Sequence, residues 1–216
     1  MKYVQTSHRY ADILFQLDTN MKFLWEQVKD VLDKITDADL INEHKAILAK
    51  QPETKSLSKA INSIIKTRLE AKGWHPESPI FADAAYDGSD GTWRLDFAKQ
   101  DIAIEVAFNH GGNVSWNLIK PVLSSELNHV EKAIQTKAGI LITATDAMKK
   151  AGGFDGAIGS YEKYVEYLKP LNNILTTPIL VIGLLPPDTF KIVQHVNQHN
   201  RKVGACQILA TGQIIQ

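Results

Sequence analysis

The chain has one cysteine, Cys206, in 216 residues. This excludes an intrachain disulfide and any zinc site built from several cysteines, and it fits a reducing cytoplasm. Long apolar runs are missing too, since the most hydrophobic stretch, Ile179 to Leu185, is far too short to span a bilayer. No cationic segment followed by a continuous apolar run opens the chain, so no secretory leader is expected. The reading is of a soluble cytoplasmic protein with no membrane partner. An excess of one charge is also absent. Lys and Arg number 24 against 24 Asp and Glu, which excludes a histone-like basic binder yet leaves room for a local basic groove. No repeat or low-complexity tract breaks the chain, and 44% hydrophobic residues suffice for one closed core. A single domain over residues 1–216 is expected.

What is present is a succession of helical and strand patterns. Apolar residues at helical spacing predict an amphipathic helix over 21–35, capped at Asp18 to Asn20, and Ser56 opens a second that stops at Gly73. The polar run from Ile41 to Lys55 predicts a helix fragment and a peripheral loop. Residues 75–92, with Pro76, Pro79, Asp87, Gly88, Asp90 and Gly91, predict turns and a loop. A third helix is predicted from Trp116 to about Lys132, with Pro121 in its first turns or at a kink. Its stripe of Leu118, Val122, Leu123, Leu127, Val130 and Ile134 suits either a core or a dimer partner, and it is the candidate interface. Gly139 to Thr145 and Ile179 to Leu185 predict buried strands. A short helix is expected over 188–198 and a terminal strand over 207–215.

The densest chemistry lies between Trp93 and His110, which predict two strands joined by a polar turn. In the second, Ile102, Ile104, Val106 and Phe108 alternate with Ala103, Glu105 and Ala107, so Glu105 shares a face with position 107. Asp96 stands on the first strand. For a single acid, a half-solvated strand is the commoner explanation. Two carboxylates from neighbouring strands can instead converge on Mg²⁺, a hard cation that keeps several waters and binds substrate phosphate. The element order predicts an α/β sandwich, a mixed central sheet covered by helices on both faces.

The segments Asp96-Phe97-Ala98-Lys99 and Glu105-Val106-Ala107-Phe108 resemble the hairpin of the type II restriction endonucleases of the BglII/BstYI group, within the PD-(D/E)-x-K nuclease superfamily. Leu24-Trp25-Glu26 and Leu69-Glu70-Ala71-Lys72-Gly73-Trp74 resemble that group's preceding helices. Pro178 to Gly183 resembles its late core strand, and Gly159-Ser160-Tyr161-Glu162 its recognition-side segment. The resemblance implies a restriction-endonuclease-like fold and Mg²⁺-dependent hydrolysis of a short palindromic site in double-stranded DNA. It further implies metal binding by Asp96, Glu105 and the Val106 carbonyl. Where the superfamily has Lys and this group Gln or Glu, the chain has Ala107, which can neither touch a metal nor orient water. Either the missing group comes from elsewhere, with Glu70 the first candidate and Lys99 the second, or Ala107 marks an impaired, inactivated form. The second is the expectation.

For DNA contacts, Asn109 and His110 leave the sheet at the cleft mouth, and Asn reads adenine well. The bland alternative is a turn cap and an exposed ring. Lys149, Lys150, Asp155, Gly156 and Ser160 form a second candidate reading segment, otherwise a solvent loop with a helix cap. Lys99, Arg94, Lys120 and Lys137 are candidate phosphate contacts. Cutting both strands of a palindrome implies a symmetric homodimer. The competing readings are a non-catalytic DNA-binding protein on the nuclease fold and a small-molecule or carbohydrate enzyme using two acids.

Overall fold

The structure is a computed structural model and describes residues 1–86, 91–127, 129–197 and 200–215. Part of the predicted loop, 87–90, lies outside the described residues. Strands β1 (Tyr3–His8), β2 (His75–Pro79), β3 (Arg94–Lys99), β4 (Ile102–Val106), β5 (Ala138–Ala144) and β6 (Ile179–Leu184) form a six-stranded sheet in the order β1-β6-β5-β4-β3-β2. The central strands β4, β5 and β6 are parallel, while β1, β2 and β3 pair antiparallel at the two sides. Every residue of β5 and β6 is buried, which is why they read as unbroken apolar runs.

Helices cover both faces, as the α/β sandwich requires. On one face lie α1 (Ala11–Leu17), α2 (Thr19–Asp33), α3 (Asp37–Lys50) and α4 (Ser58–Glu70). Leu24, Val28, Ile61 and Ile65 from these helices join Ile102, Ile104, Ile140 and Ile182 of the sheet in the main core. On the other face, α5 (Val114–Ser125) and α7 (Tyr161–Leu168) pack Leu118, Val122 and Tyr164 against Ala107, Leu141 and Val181. Two glycines permit that closeness. A Cβ on Gly139 would come within 2.6 Å of Pro121, and one on Gly183 within 2.5 Å of the Tyr161 ring.

The predicted start at Asp18 holds, since its carboxylate accepts from the Met21 amide at 2.8 Å. Other expectations are corrected. Strand β1 was not foreseen; it is only six residues long and borders β6. The helix fragment expected within 41–55 is the later part of a longer helix, α3, which a capping box of Thr36 and Asp39 opens at Asp37, and residues 51–55 form the expected loop. The third helix ends at Ser125, because Glu126 is extended and His129 adopts a left-handed backbone. Its supposed stripe is therefore split. Leu118 and Val122 are core, Leu123, Val130 and Ile134 pack against a third cluster around Ile80, Phe81 and Leu95, and Leu127 alone is exposed. The interface candidate loses its physical basis.

Residues 188–198 do not form a helix. Phe190–Val196 is β7, with Phe190 and Ile192 turned inward and Lys191 out, a period of two; residue 198 lies outside the described residues. With β8 (Lys202–Ile208) and β9 (Ile214–Ile215) it makes a separate three-stranded antiparallel sheet. The expected terminal strand at 207–215 is thus the end of β8, a turn and β9. This sheet is fastened to α3, where buried His44 donates through Nε2 to the Gly204 carbonyl at 2.8 Å. Among the described residues no helix is long and apolar enough to cross a membrane.

Candidate functional site

The antiparallel register of β3 and β4 pairs Phe97 with Ile104, and one further step sets Asp96 across from Glu105. Glu105 meets Lys120 of α5, while Asp96 borders a cavity shared with α4. Asp96 Oδ2 accepts from the Val106 amide at 2.6 Å, so a carboxylate takes a ladder donor at the point where the two strands part. Glu105 is only 2% exposed. Its Oε2 is paired with the Lys120 ammonium, and its Oε1 is buried with no hydrogen-bond partner among the described residues.

Burial pushes the Glu105 carboxyl well above the usual carboxylate range, the Asp96 charge pushes it the same way, and Lys120 opposes both. Burial also raises Asp96, against the pull of Lys120 and the Val106 amide. The Glu77 carboxylate adds a further upward push. Neighbouring groups that shift one another in this way are a feature of functional sites.

In front of Asp96 and Val106 lies a cavity of about 130 Å³, lined also by Asn62 and Lys66 of α4, by Pro76 and Glu77 of β2, and by Phe97. Glu105 is not among these lining residues. Among the described residues no group of three or more His, Cys, Asp or Glu is gathered tightly enough to hold a metal. The donors nevertheless suit a hard divalent cation, being all oxygen: Asp96 and the Val106 residue at the cavity wall, and Glu105 Oε1 with an unused acceptor.

Glu77 and Lys66 were missed by the sequence reading. Glu77 has a left-handed backbone at φ 47°, unusual for a non-glycine residue, and strain of this kind collects at functional sites. It lies between two prolines in a stretch that reads as turns, with no signal of its own in the sequence. Lys66 and Asn62 are four residues apart on α4, hence on one face.

Several predicted site residues are used otherwise. Glu70 is exposed at the end of α4 and is not among the residues that line the cavity. Lys99 Nζ donates to the Lys72 carbonyl at 2.5 Å and to Gln27 at 3.1 Å, which ties β3 to the α4 terminus and spends the cation on structure. Arg94 donates to the Glu77 carbonyl at 2.9 Å, holding the strained residue in place. Lys120 is buried, its ammonium on Glu105 and on the Arg94 carbonyl. Lys137 pairs with Asp101 at 3.0 Å.

The two predicted reading segments are brought together. The Gly111 amide donates to the Ala157 carbonyl at 2.7 Å, the Gly159 amide to the Asn109 carbonyl at 3.1 Å, and Phe108 meets Phe154 with ring centroids 5.4 Å apart. Within this ledge many side chains are committed locally. Asn109 and Asn117 form an amide pair, with Asn117 donating at 2.8 Å, and His110 Nδ1 accepts from the Gly112 amide at 3.0 Å. Lys149 belongs to α6 (Asp146–Ala151) and donates to the Ile158 carbonyl at 2.9 Å. Asp155 accepts from the Ala157 amide at 2.8 Å, and Ser160 is buried at the start of α7 without a side-chain cap bond. Lys150 and Gly156 remain exposed.

The sequence profile of the family described as restriction endonuclease BglII/BglIII matches residues 3–184. The chain belongs to this family. Membership sets it among DNA-cleaving, site-specific restriction enzymes, a group that generally uses divalent metal ions. The fold is similar to that of restriction endonuclease BglII complexed with a DNA 16-mer, with a TM-score of 0.63 at 19% identity over 96% of this chain and 91% of that one. Free BglII matches at a TM-score of 0.52 and 18% identity, over 100% of this chain and 99% of the other. No curated protein sequence matches the chain. The family profile stops before β7, so it covers the six-stranded sheet and not the small one.

Proposed function

We propose that this protein is a cytoplasmic type II restriction endonuclease that hydrolyses one phosphodiester per strand in a short palindromic double-stranded DNA site, as a homodimer with Mg²⁺. We further propose the BglII/BstYI group of the PD-(D/E)-x-K superfamily as its place. One observation carries the reading: in a chain of this family, Asp96 and Glu105 meet where the strands part, and Glu105 keeps a buried oxygen with no partner.

Asp96, Glu105 and the Val106 carbonyl would hold the ion. When bound, Mg²⁺ supplies a Lewis acid that activates water and offsets charge on the phosphoryl oxygens. The chain's own residues do the positioning. Lys66 and Asn62 face the cavity in which a strand's phosphate would sit, and the Val106 amide fixes Asp96 in orientation. The water gives up a proton to solvent as its oxygen forms a bond to phosphorus, the bond from phosphorus to the leaving sugar oxygen breaks, and that oxygen takes a proton from solvent. Lys150 and Gly156, exposed on the ledge, are the DNA-contact candidates that keep their side of the surface open.

The test is digestion of linear DNA of known sequence with Mg²⁺. Discrete fragments should appear with the native chain and vanish with Asp96→Asn. Fragments that persist in the variant would remove Asp96 from the site. The second reading, a DNA-binding protein without catalysis, is favoured by one observation, that Ala107 is packed in the apolar cluster of Val114 and Leu118. It predicts a gel shift without cutting, including after Ala107→Gln or Ala107→Glu.

A further inference from the structure

Ala107 leaves strand β4 one polar group short, and the structure carries a cation beside that gap. Helix α5 is fixed against the start of β3 by Trp116, whose ring lies edge-on to Trp93 with centroids 5.2 Å apart. Lys120 follows one turn later, so it projects from the same side of the helix. It is 8% exposed, and its ammonium is shared between Glu105 Oε2 and the Arg94 carbonyl, the latter at 3.0 Å. The small side chain at 107 belongs to the cluster that α5 packs upon, which lets the helix lie close to β4.

A purely structural role explains this poorly. Taking a lysine and a glutamate out of water costs several kcal/mol per ion, and apolar residues of similar size do as well or better for stability. The pair is also incomplete as a structural device, because Glu105 Oε1 stays without a partner.

Resting on the nuclease reading above, we infer that Lys120, delivered by α5, supplies the positively charged group that position 107 lacks. It acts next to Glu105 on the attacking water and the charge gathering on the phosphate. The native chain is then a competent nuclease and not an impaired form. This makes Lys120 a catalytic residue, and neither Glu70 nor Lys99 takes that part.

The experiment compares the native chain with Lys120→Met, Lys120→Arg, Ala107→Gln and the double variant Lys120→Met/Ala107→Lys. Cleavage is followed with Mg²⁺, DNA binding with Ca²⁺ in its place, and thermal unfolding with and without each ion. The native chain should cut. Lys120→Met should lower kcat by at least about 100-fold, the usual effect of removing one group that stabilises transition-state charge. DNA binding should stay near native, and Lys120→Arg, which keeps the charge, should lose less. The double variant should regain at least about tenfold, a recovery that a merely structural lysine would not allow. Native-like cutting by Lys120→Met would overturn the inference. So would loss of cutting only in proportion to loss of folding, with Lys120→Arg equally affected. A native chain that does not cut while Ala107→Gln does would also overturn it and leave the nuclease reading standing. No cutting by any form, with DNA bound, would remove the nuclease reading itself.

Discussion

At the scale of single residues, the site is governed by the cost of burying charge. Asp96 titrates higher in the folded chain than its ordinary value of 3.8, with burial the main cause. The folded state therefore holds that proton more tightly than the unfolded one. The stability involved is present below the unfolded value and is lost as pH rises through the raised one. Asp96→Asn does not titrate. Its melting temperature relative to the native chain should accordingly rise as pH increases from about 4, while cleavage falls by about 1,000-fold or more, the size expected for losing several kcal/mol of metal-assisted stabilisation. A difference in melting temperature independent of pH would mean that Asp96 is not held in a desolvated place. Asp96 and Glu105 were legible in the sequence because strand alternation places Glu105 on a definite face. Glu77 was not legible, because its part depends on a left-handed backbone that nothing in Pro76-Glu77-Ser78-Pro79 announces.

At the scale of elements, the helix-to-sheet contacts that place the site depend on missing side chains. Gly139→Ala would drive a methyl group into Pro121, and in a packed core such crowding costs about 1–3 kcal/mol. Urea unfolding should show this loss. Cleavage should fall as well, because Lys120 lies one residue from Pro121 and any displacement of α5 moves it. An unchanged midpoint would mean that α5 has room to give. Long periodic helices and fully apolar strands were readable, since α2, α4, β5 and β6 follow from spacing alone. The third helix was overextended because Leu127, Val130 and Ile134 continue its period by coincidence, while the chain has already turned at Glu126. Strand β7 falls where a short helix is expected because Pro186-Pro187 is the kind of pair that precedes a helix, whereas the apolar residues from Phe190 onward recur with a period of two.

At the scale of the whole molecule, two-strand cutting requires two copies of this site. Sedimentation at micromolar concentration should give twice the protomer mass, and binding to a palindromic duplex should saturate at two chains per site. A protomer that binds and cuts as a single chain would break the symmetry argument. DNA affinity should fall steeply with added salt, the effect of displaced counterions, although the chain has no net charge. The small sheet β7-β8-β9 had no signal in the sequence as a separate body. Its attachment combines apolar packing, with Phe190, Ile192 and Cys206 in the main core, and hydrogen bonds on Gly204, whose amide donates to the Thr54 carbonyl and whose carbonyl accepts from His44. The cation beside Glu105 has a different kind of consequence, one for how such proteins are found. Because it comes from a helix and not from the strand, position 107 is free to drift toward whatever packs best. A search that demands a lysine, glutamine or glutamate two residues after Glu105 would pass over this chain.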